Sequence, residues 1–100
     1  MKRICALAFL ACAPLTVRAE PMVTSYYPAK QPHIAAHRTL PLGTVLILTN
    51  PRNGRTARVV VGGRGPFDRR RSLDVSHAIA RQLGFEGQGV TLLHAQVAPR

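Results

Sequence analysis

Apolar residues in this chain come in short runs broken by proline, glycine and asparagine, and only one run has a helical period. Met22-Val23-Thr24-Ser25-Tyr26-Tyr27 is rich in β-formers and stops at Pro28, which predicts a first strand. Ile34-Ala35-Ala36-His37 is a second short run, followed by a Pro- and Gly-containing turn to Gly43. Thr44 to Thr49 does not alternate and reads as a strand buried on both faces. Asn53-Gly54 marks a hairpin turn, and Thr56 to Val61 is the return strand. That strand ends in Val59-Val60-Val61, again expected to be buried on both faces. Gly62, Gly63 and Gly65-Pro66 are expected to turn the backbone sharply, with Phe67 packing into the core. Leu73-Asp74-Val75 is a very short strand. Ser76 is a good N-cap for one short helix, His77 to Leu83, with Ile79 and Leu83 on a common face and Gly84 as its stop. Val90 to Val97 is the last strand.

Six short strands and one short helix point to a small β-barrel. A parallel sheet covered on both faces is excluded, because one helix cannot cover it. Ahead of the first strand the pattern changes. Lys2 and Arg3 precede a nearly continuous apolar stretch from Ile4 to Val17, and Val17-Arg18-Ala19 suits a signal peptidase. Residues 1–19 are therefore expected to be a secretory signal peptide, too short for a stable membrane span, with residues 20–100 as the working domain. Cys5 and Cys12 fall inside that segment, so cleavage after Ala19 leaves no internal disulfide. Phe9-Leu10-Ala11-Cys12 is a poor lipoprotein signal, which makes lipid anchoring at Cys12 the lesser alternative.

Charge narrows the partners. The chain carries 14 Lys+Arg against 4 Asp+Glu, a formal charge of +10. An anionic partner is favoured: nucleic acid, a membrane surface or an acidic polymer. The bases are spread over loops and no nucleic-acid fold signature is present, so nucleic acid is the least favoured of these. The strand that ends in Gly62 and Gly63 with Arg64 beside them reads as the floor of a binding site. It reads equally as a crossover whose Arg64 pairs with a carboxylate or with carbonyls. Asp68 either reaches a cleft or, as is favoured, pairs with Arg69 to Arg71. Asp74 is expected to be structural, pairing with Arg64 or with amides near the helix start. His33, His37, His77 and His94 show no metal-ligand spacing, so neither a metal nor another cofactor is expected.

Several blocks occur in a recognisable order: Ala35-Ala36-His37-Arg38-Thr39-Leu40-Pro41-Leu42-Gly43-Thr44, Thr49-Asn50, Asn53-Gly54-Arg55, Arg64-Gly65-Pro66-Phe67, Asp74-Val75-Ser76 and Leu83-Gly84. From about Val23 to Val97 the chain resembles the RlpA family of bacterial cell-envelope proteins, which are related in fold to barwins and expansins. The resemblance implies a mainly β fold, a six-stranded double-psi β-barrel with one short helix. It also implies a periplasmic monomer that meets peptidoglycan glycan strands and needs no cofactor. Many members are endolytic lytic transglycosylases, which cut the strand without water and leave a 1,6-anhydro sugar end. Carried onto this chain, the resemblance makes His37 the candidate acid/base and Asp68 a weak second, with Arg64, Gly62, Gly63 and Tyr26 as substrate-binding residues.

Three departures bear on activity. The family pattern reads Asn-Asp before Arg-Gly-Pro-Phe, and here those positions are Gly62 and Gly63, without the carboxylate. A Thr-Ala-Ser-Gly-Glu-like stretch of the family is reduced to Pro28 to His33, with no acid. Many members also carry a C-terminal SPOR module, and this chain is expected to be a short member without one. Glycosidic cleavage needs a proton for the leaving oxygen and stabilisation of an oxocarbenium-like transition state. Acid–base catalysis is worth roughly 10²–10⁴-fold. A cleft lined by arginine depresses a histidine pKa and opposes a cationic transition state. Two readings therefore stand level: a weak lytic transglycosylase relying on His37, and a non-catalytic peptidoglycan-binding module that grips the strand with His37, Arg64 and a tyrosine.

Overall fold

The computed structural model describes residues 19–99. The expected signal segment therefore lies outside the described residues, Ala19 excepted, together with Cys5 and Cys12. Six strands and one helix follow in chain order: β1 (Glu20–Tyr27), β2 (Ile34–His37), β3 (Val45–Thr49), β4 (Thr56–Gly63), β5 (Leu73–Ser76), α1 (His77–Leu83) and β6 (Val90–Val97). They close into a barrel in the order β1-β5-β2-β4-β3-β6. The β1–β5 and β2–β4 pairs are parallel and the other four are antiparallel. Closure leaves no unpaired edge, which suits a short chain with a basic surface.

The barrel interior is filled by alternate residues of each strand, among them Leu46, Leu48, Val59, Val61, Leu73, Val75 and Leu93. The expectation that β3 and the three valines of β4 are buried on both faces is overturned. Ile47 and Val60 are half-exposed between buried neighbours, and Val45 is half-exposed beside buried Leu46. In a closed barrel only the inner face is sealed, and the outward-facing residues of these strands keep part of their surface in solvent.

α1 covers one side of the barrel with Ile79, Ala80 and Leu83. Its ends are set locally. The Ser76 hydroxyl accepts from the Ile79 amide, and Gly84 closes the helix in the left-handed conformation. Phe85, fully buried, follows the cap and meets Tyr26 edge to face at 5.9 Å.

Gly62 and Gly63 do not make the bend; they are the last two residues of β4. The chain turns at Gly65, with φ 127°. The register between β2 and β4 jumps between Ala35 and Ala36, so that Ala36 pairs with Gly63 and Gly62 is left over as a bulge. A Cβ on Gly62 would come within 2.6 Å of Ile34 Cγ2, whereas one on Gly63 would meet only Ala36 Cβ, at 3.8 Å. Gly62 is thus needed for the close approach of β2, and Gly63 is not. Gly62→Ala is expected to cost about 1–3 kcal/mol, because Ile34 is stiff at χ1 and must move with its strand. Urea unfolding checks this, and Ile34→Ala in the same chain should recover most of the loss.

Candidate functional site

Residues paired across adjacent strands share a face of the sheet. Following the pairs around the barrel gives one continuous row: Val90 of β6 opposite Ser25, Ser25 beside Asp74, Asp74 opposite Ala36, and Ala36 beside Gly63. Leu73 and Val75, on either side of Asp74, are fully buried, so the row lies on the outer face. Four of its members, Ser25, Asp74, Ala36 and Gly63, are small or short. They mark a candidate channel across β1, β5, β2 and β4, roughly 14 Å long at the usual strand spacing, with Ser25 buried at its β1 end.

Two banks flank this channel. On one side stand Tyr27 and Ile34, which also line a depression with the segment from Pro28 to Gln31. Burial, and then the charge of Asp74, raise the Tyr27 pKa. The other bank is the loop from Arg64 to Ser72. Arg38 fixes it: its Nη1 reaches the carbonyls of Pro66 (2.9 Å), Asp68 (3.4 Å) and Arg71 (2.6 Å). Phe67 stands on this loop 84% exposed, against the expectation that it packs in the core. Gly65 and Pro66 are the buried residues of that turn, and they leave the next side chain outside.

The four carboxylates of the chain separate clearly. Asp68 accepts from the Arg70 amide and guanidinium and lies 3.8 Å from Arg71 Nε, so its pKa falls to about 2. Glu86 pairs with His77 and Arg81, and that pairing holds its carboxyl below the ordinary range. Glu20 is exposed at the start of β1. Asp74 does not pair with Arg64 or with helix amides, as the sequence led us to expect. It is half-buried in the channel floor, accepts a hydrogen bond from Ser25 Oγ at 2.9 Å, and has no cationic partner among the described residues.

His37 and Arg64 are brought together, but through backbone. Arg64 Nη1 donates to the carbonyls of His37 (3.3 Å) and Leu40 (2.6 Å), and so pins the turn after β2. The His37 ring is also engaged: its Nδ1 accepts from the amides of Thr39 and Leu40, both at 3.1 Å. Two N–H donors on Nδ1 put the proton of the neutral ring on Nε2. Burial, then Arg38 and Arg64, lower the His37 pKa, and Glu20 opposes them only in part. Tyr26 turns away from the channel. It stacks on His77 at 4.9 Å and donates from its hydroxyl to the Glu86 carbonyl. Ser25 is a channel residue that the sequence did not single out, and Asp74 was expected only as a structural carboxylate. Their juxtaposition had no signal in the sequence, since Asp74 and the β1 residues lie on a parallel strand pair that local pattern cannot reveal.

The depressed His37 pKa has a stability consequence. Above pH 6.5, the ordinary value, the ring is neutral folded or unfolded and contributes no slope. Below it the unfolded ring takes up a proton first, so stability falls until the pH passes the folded value. Unfolding midpoints measured from pH 8 down to pH 4 should fall more steeply below 6.5 in the parent chain than in His37→Asn, whose amide oxygen can still accept from Thr39 and Leu40.

The profile of the lytic transglycolase family matches residues 28–94, which takes in β2 to β5, α1 and most of β6. The chain belongs to this family. Its relatives include the "Probable endolytic peptidoglycan transglycosylase RlpA" of Nostoc sp., 48% identical over 66 residues, which are 66% of this chain and 18% of the relative. The protein of the same name from Aquifex aeolicus is 48% identical over 65 residues, 65% of this chain and 29% of that one. The Pasteurella multocida endolytic peptidoglycan transglycosylase RlpA is 47% identical over 58 residues, 58% and 20% of the two chains. The match therefore spans less than a third of each of these relatives. Among solved structures, the Streptomyces papain inhibitor superposes with a TM-score of 0.66 at 20% identity, covering 82% of this chain and 96% of that one. That likeness concerns the fold alone. With the family match, it makes this closed six-stranded barrel a double-psi β-barrel.

Proposed function

We propose that this lytic transglycolase-family barrel acts on peptidoglycan glycan strands in the cell envelope. The strand lies along the channel of Ser25, Asp74, Ala36 and Gly63, with Asp74 as the acid/base of a non-hydrolytic cleavage. The relatives' printed activity supplies the substrate class. The observation that carries the assignment of Asp74 is its isolation: of four carboxylates it alone sits in the channel without a cation beside it. Asp68 has both oxygens held by Arg70, which leaves neither free to meet a leaving group.

One carboxyl suffices for this reaction. The cycle calls for Asp74 in its acid form, whose proton goes to the glycosidic oxygen as the bond from C1 to that oxygen breaks. The resulting carboxylate stabilises the positive ring and then takes the proton of the sugar's own 6-hydroxyl as that oxygen bonds to C1. Asp74 ends protonated as it began, and the product is a 1,6-anhydro end. Ser25 holds one oxygen of the carboxyl in place, and Tyr27 offers an aromatic face on the bank above it.

His37 takes a different part from the one its place in the family pattern implies. Protonating Nδ1 would put a third N–H against the two amides it now accepts from, and the surrounding guanidiniums oppose the charge as well. We assign it as a hydrogen-bond donor through Nε2 and as the pin of the turn beside Arg64. Gly62 and Gly63 keep the channel floor bare.

A second reading, a binding module without catalysis, draws on Gly63, which leaves the channel one carboxylate short of the family pattern. Incubating the purified chain with peptidoglycan sacculi separates the two. Sedimentation with sacculi and release of 1,6-anhydro muropeptides support cleavage. Sedimentation without release leaves the binding module, and absence of both removes the glycan reading altogether.

A further inference from the structure

Three of the four aromatic side chains among the described residues are accounted for by packing. Phe85 is fully buried, Tyr26 packs on Phe85 and His77, and Tyr27 is half-buried. Phe67 is the exception. It is the most exposed of the large apolar side chains among the described residues. A phenyl ring left in water forgoes the stabilisation that burial would give it.

The ring is nevertheless held in place. The carbonyls on either side of it, those of Pro66 and Asp68, both accept from Arg38 Nη1, at 2.9 and 3.4 Å. Four residues on, the Ser72 amide donates to the Val23 carbonyl at 2.8 Å and ties the loop to β1. The ring also folds back on its own turn: a Cβ on Gly65 would stand 3.5 Å from Phe67 Cε2. Gly65 is two residues past Gly63, so their Cα atoms lie at most about 7 Å apart. Arg64, between them, is engaged with the carbonyls of His37 and Leu40. The phenyl ring thus stands at the β4 end of the channel, just beyond its last bare position.

We propose that Phe67 is a platform for a sugar ring, an outer subsite on which the glycan strand rests once it has passed Ala36 and Gly63. The proposal rests on the reading that the strand lies in the channel, and it adds where the strand goes at the β4 end. A pyranose carries hydroxyls at its rim and presents C–H groups on its face. Those C–H groups suit the negative face of a phenyl ring. The pinned backbone presents that face without further ordering when the strand arrives.

The test uses the full chain and glycan strands stripped of their peptides by an amidase, so that only sugar meets the ring. Phe67→Ala should bind these strands about tenfold less tightly, the ratio that one aromatic stacking contact supplies. Phe67→Tyr, which is also flat, should bind as the parent does. Phe67→Leu, apolar but without a flat face, should bind like Phe67→Ala. All three alter an exposed side chain and should keep the parent unfolding midpoint, which is measured alongside. The chain has no tryptophan. Phe67→Trp therefore adds a lone fluorescent reporter, whose emission should move to shorter wavelength as strands are added. Parent-like binding by Phe67→Ala or Phe67→Leu, or Phe67→Trp emission unmoved by strands that the chain binds, overturns the platform while the channel reading stands. No binding by the parent chain takes down both.

Discussion

Asp74→Asn is expected to abolish release of 1,6-anhydro products from sacculi, lowering the rate by about 10²–10⁴-fold, while sedimentation with sacculi is kept. The substitution is close to isosteric, and the asparagine carbonyl can still accept from Ser25. What it loses is the proton to give and the negative charge that faces the oxocarbenium-like ring. His37→Asn supplies the contrast. If His37 only donates from Nε2, its loss weakens binding of the strand and leaves much of the turnover of bound strand intact. If His37 is the proton carrier, the two variants change places. The assay is muropeptide analysis by chromatography at several strand concentrations, so that binding and turnover separate. Undiminished release by Asp74→Asn would end the assignment.

That contrast could not have been drawn from the sequence, although much of the fold could. Helix α1 was legible to the residue, because its signals are local: Ser76 caps within three residues and Gly84 closes within one. The β3–β4 hairpin was legible for the same reason, through Asn53-Gly54, with Gly54 in the left-handed region. What failed was anything decided by a distant partner. Val59-Val60-Val61 looks buried throughout, yet which valine faces inward depends on closure of the barrel. Tyr26 and Tyr27 are the same residue type side by side. Only the helix that packs over β1 decides that Tyr26 goes to Phe85 and His77 and Tyr27 to the channel. Asp74 is separated from Ser25 by 49 positions, and its parallel pairing leaves no trace in the pattern around either residue. The candidate site was thus half legible. The Gly62-Gly63-Arg64 stretch, His37 and Asp74 were visible as motif residues, while the place of Asp74 in the channel emerged only from the register.

Gly63→Asp is expected to raise cleavage, and it tests whether the missing family carboxylate limits this chain. A Cβ at this position meets only Ala36 Cβ at 3.8 Å, an ordinary contact, so the backbone need not move. Gly63 and Asp74 flank Ala36 on opposite sides, in β4 and β5, which puts the new carboxylate about 9–10 Å from Asp74 across one intervening strand. At that spacing two carboxylates do not suppress each other's ionisation as a shared-proton pair does. One can therefore stay charged near the developing cation while the other moves the proton, the division of labour that glycan-cleaving enzymes rely on. A gain of about 10-fold or more in released 1,6-anhydro ends, lost again in Gly63→Asp combined with Asp74→Asn, would place both acids in one site. Gly62→Asp is the control, since the 2.6 Å approach of Ile34 makes the neighbouring glycine intolerant while adding the same charge to the same strand. Were folded Gly63→Asp no faster than the parent chain while sacculus binding is unchanged, the binding-module reading of this barrel would take precedence.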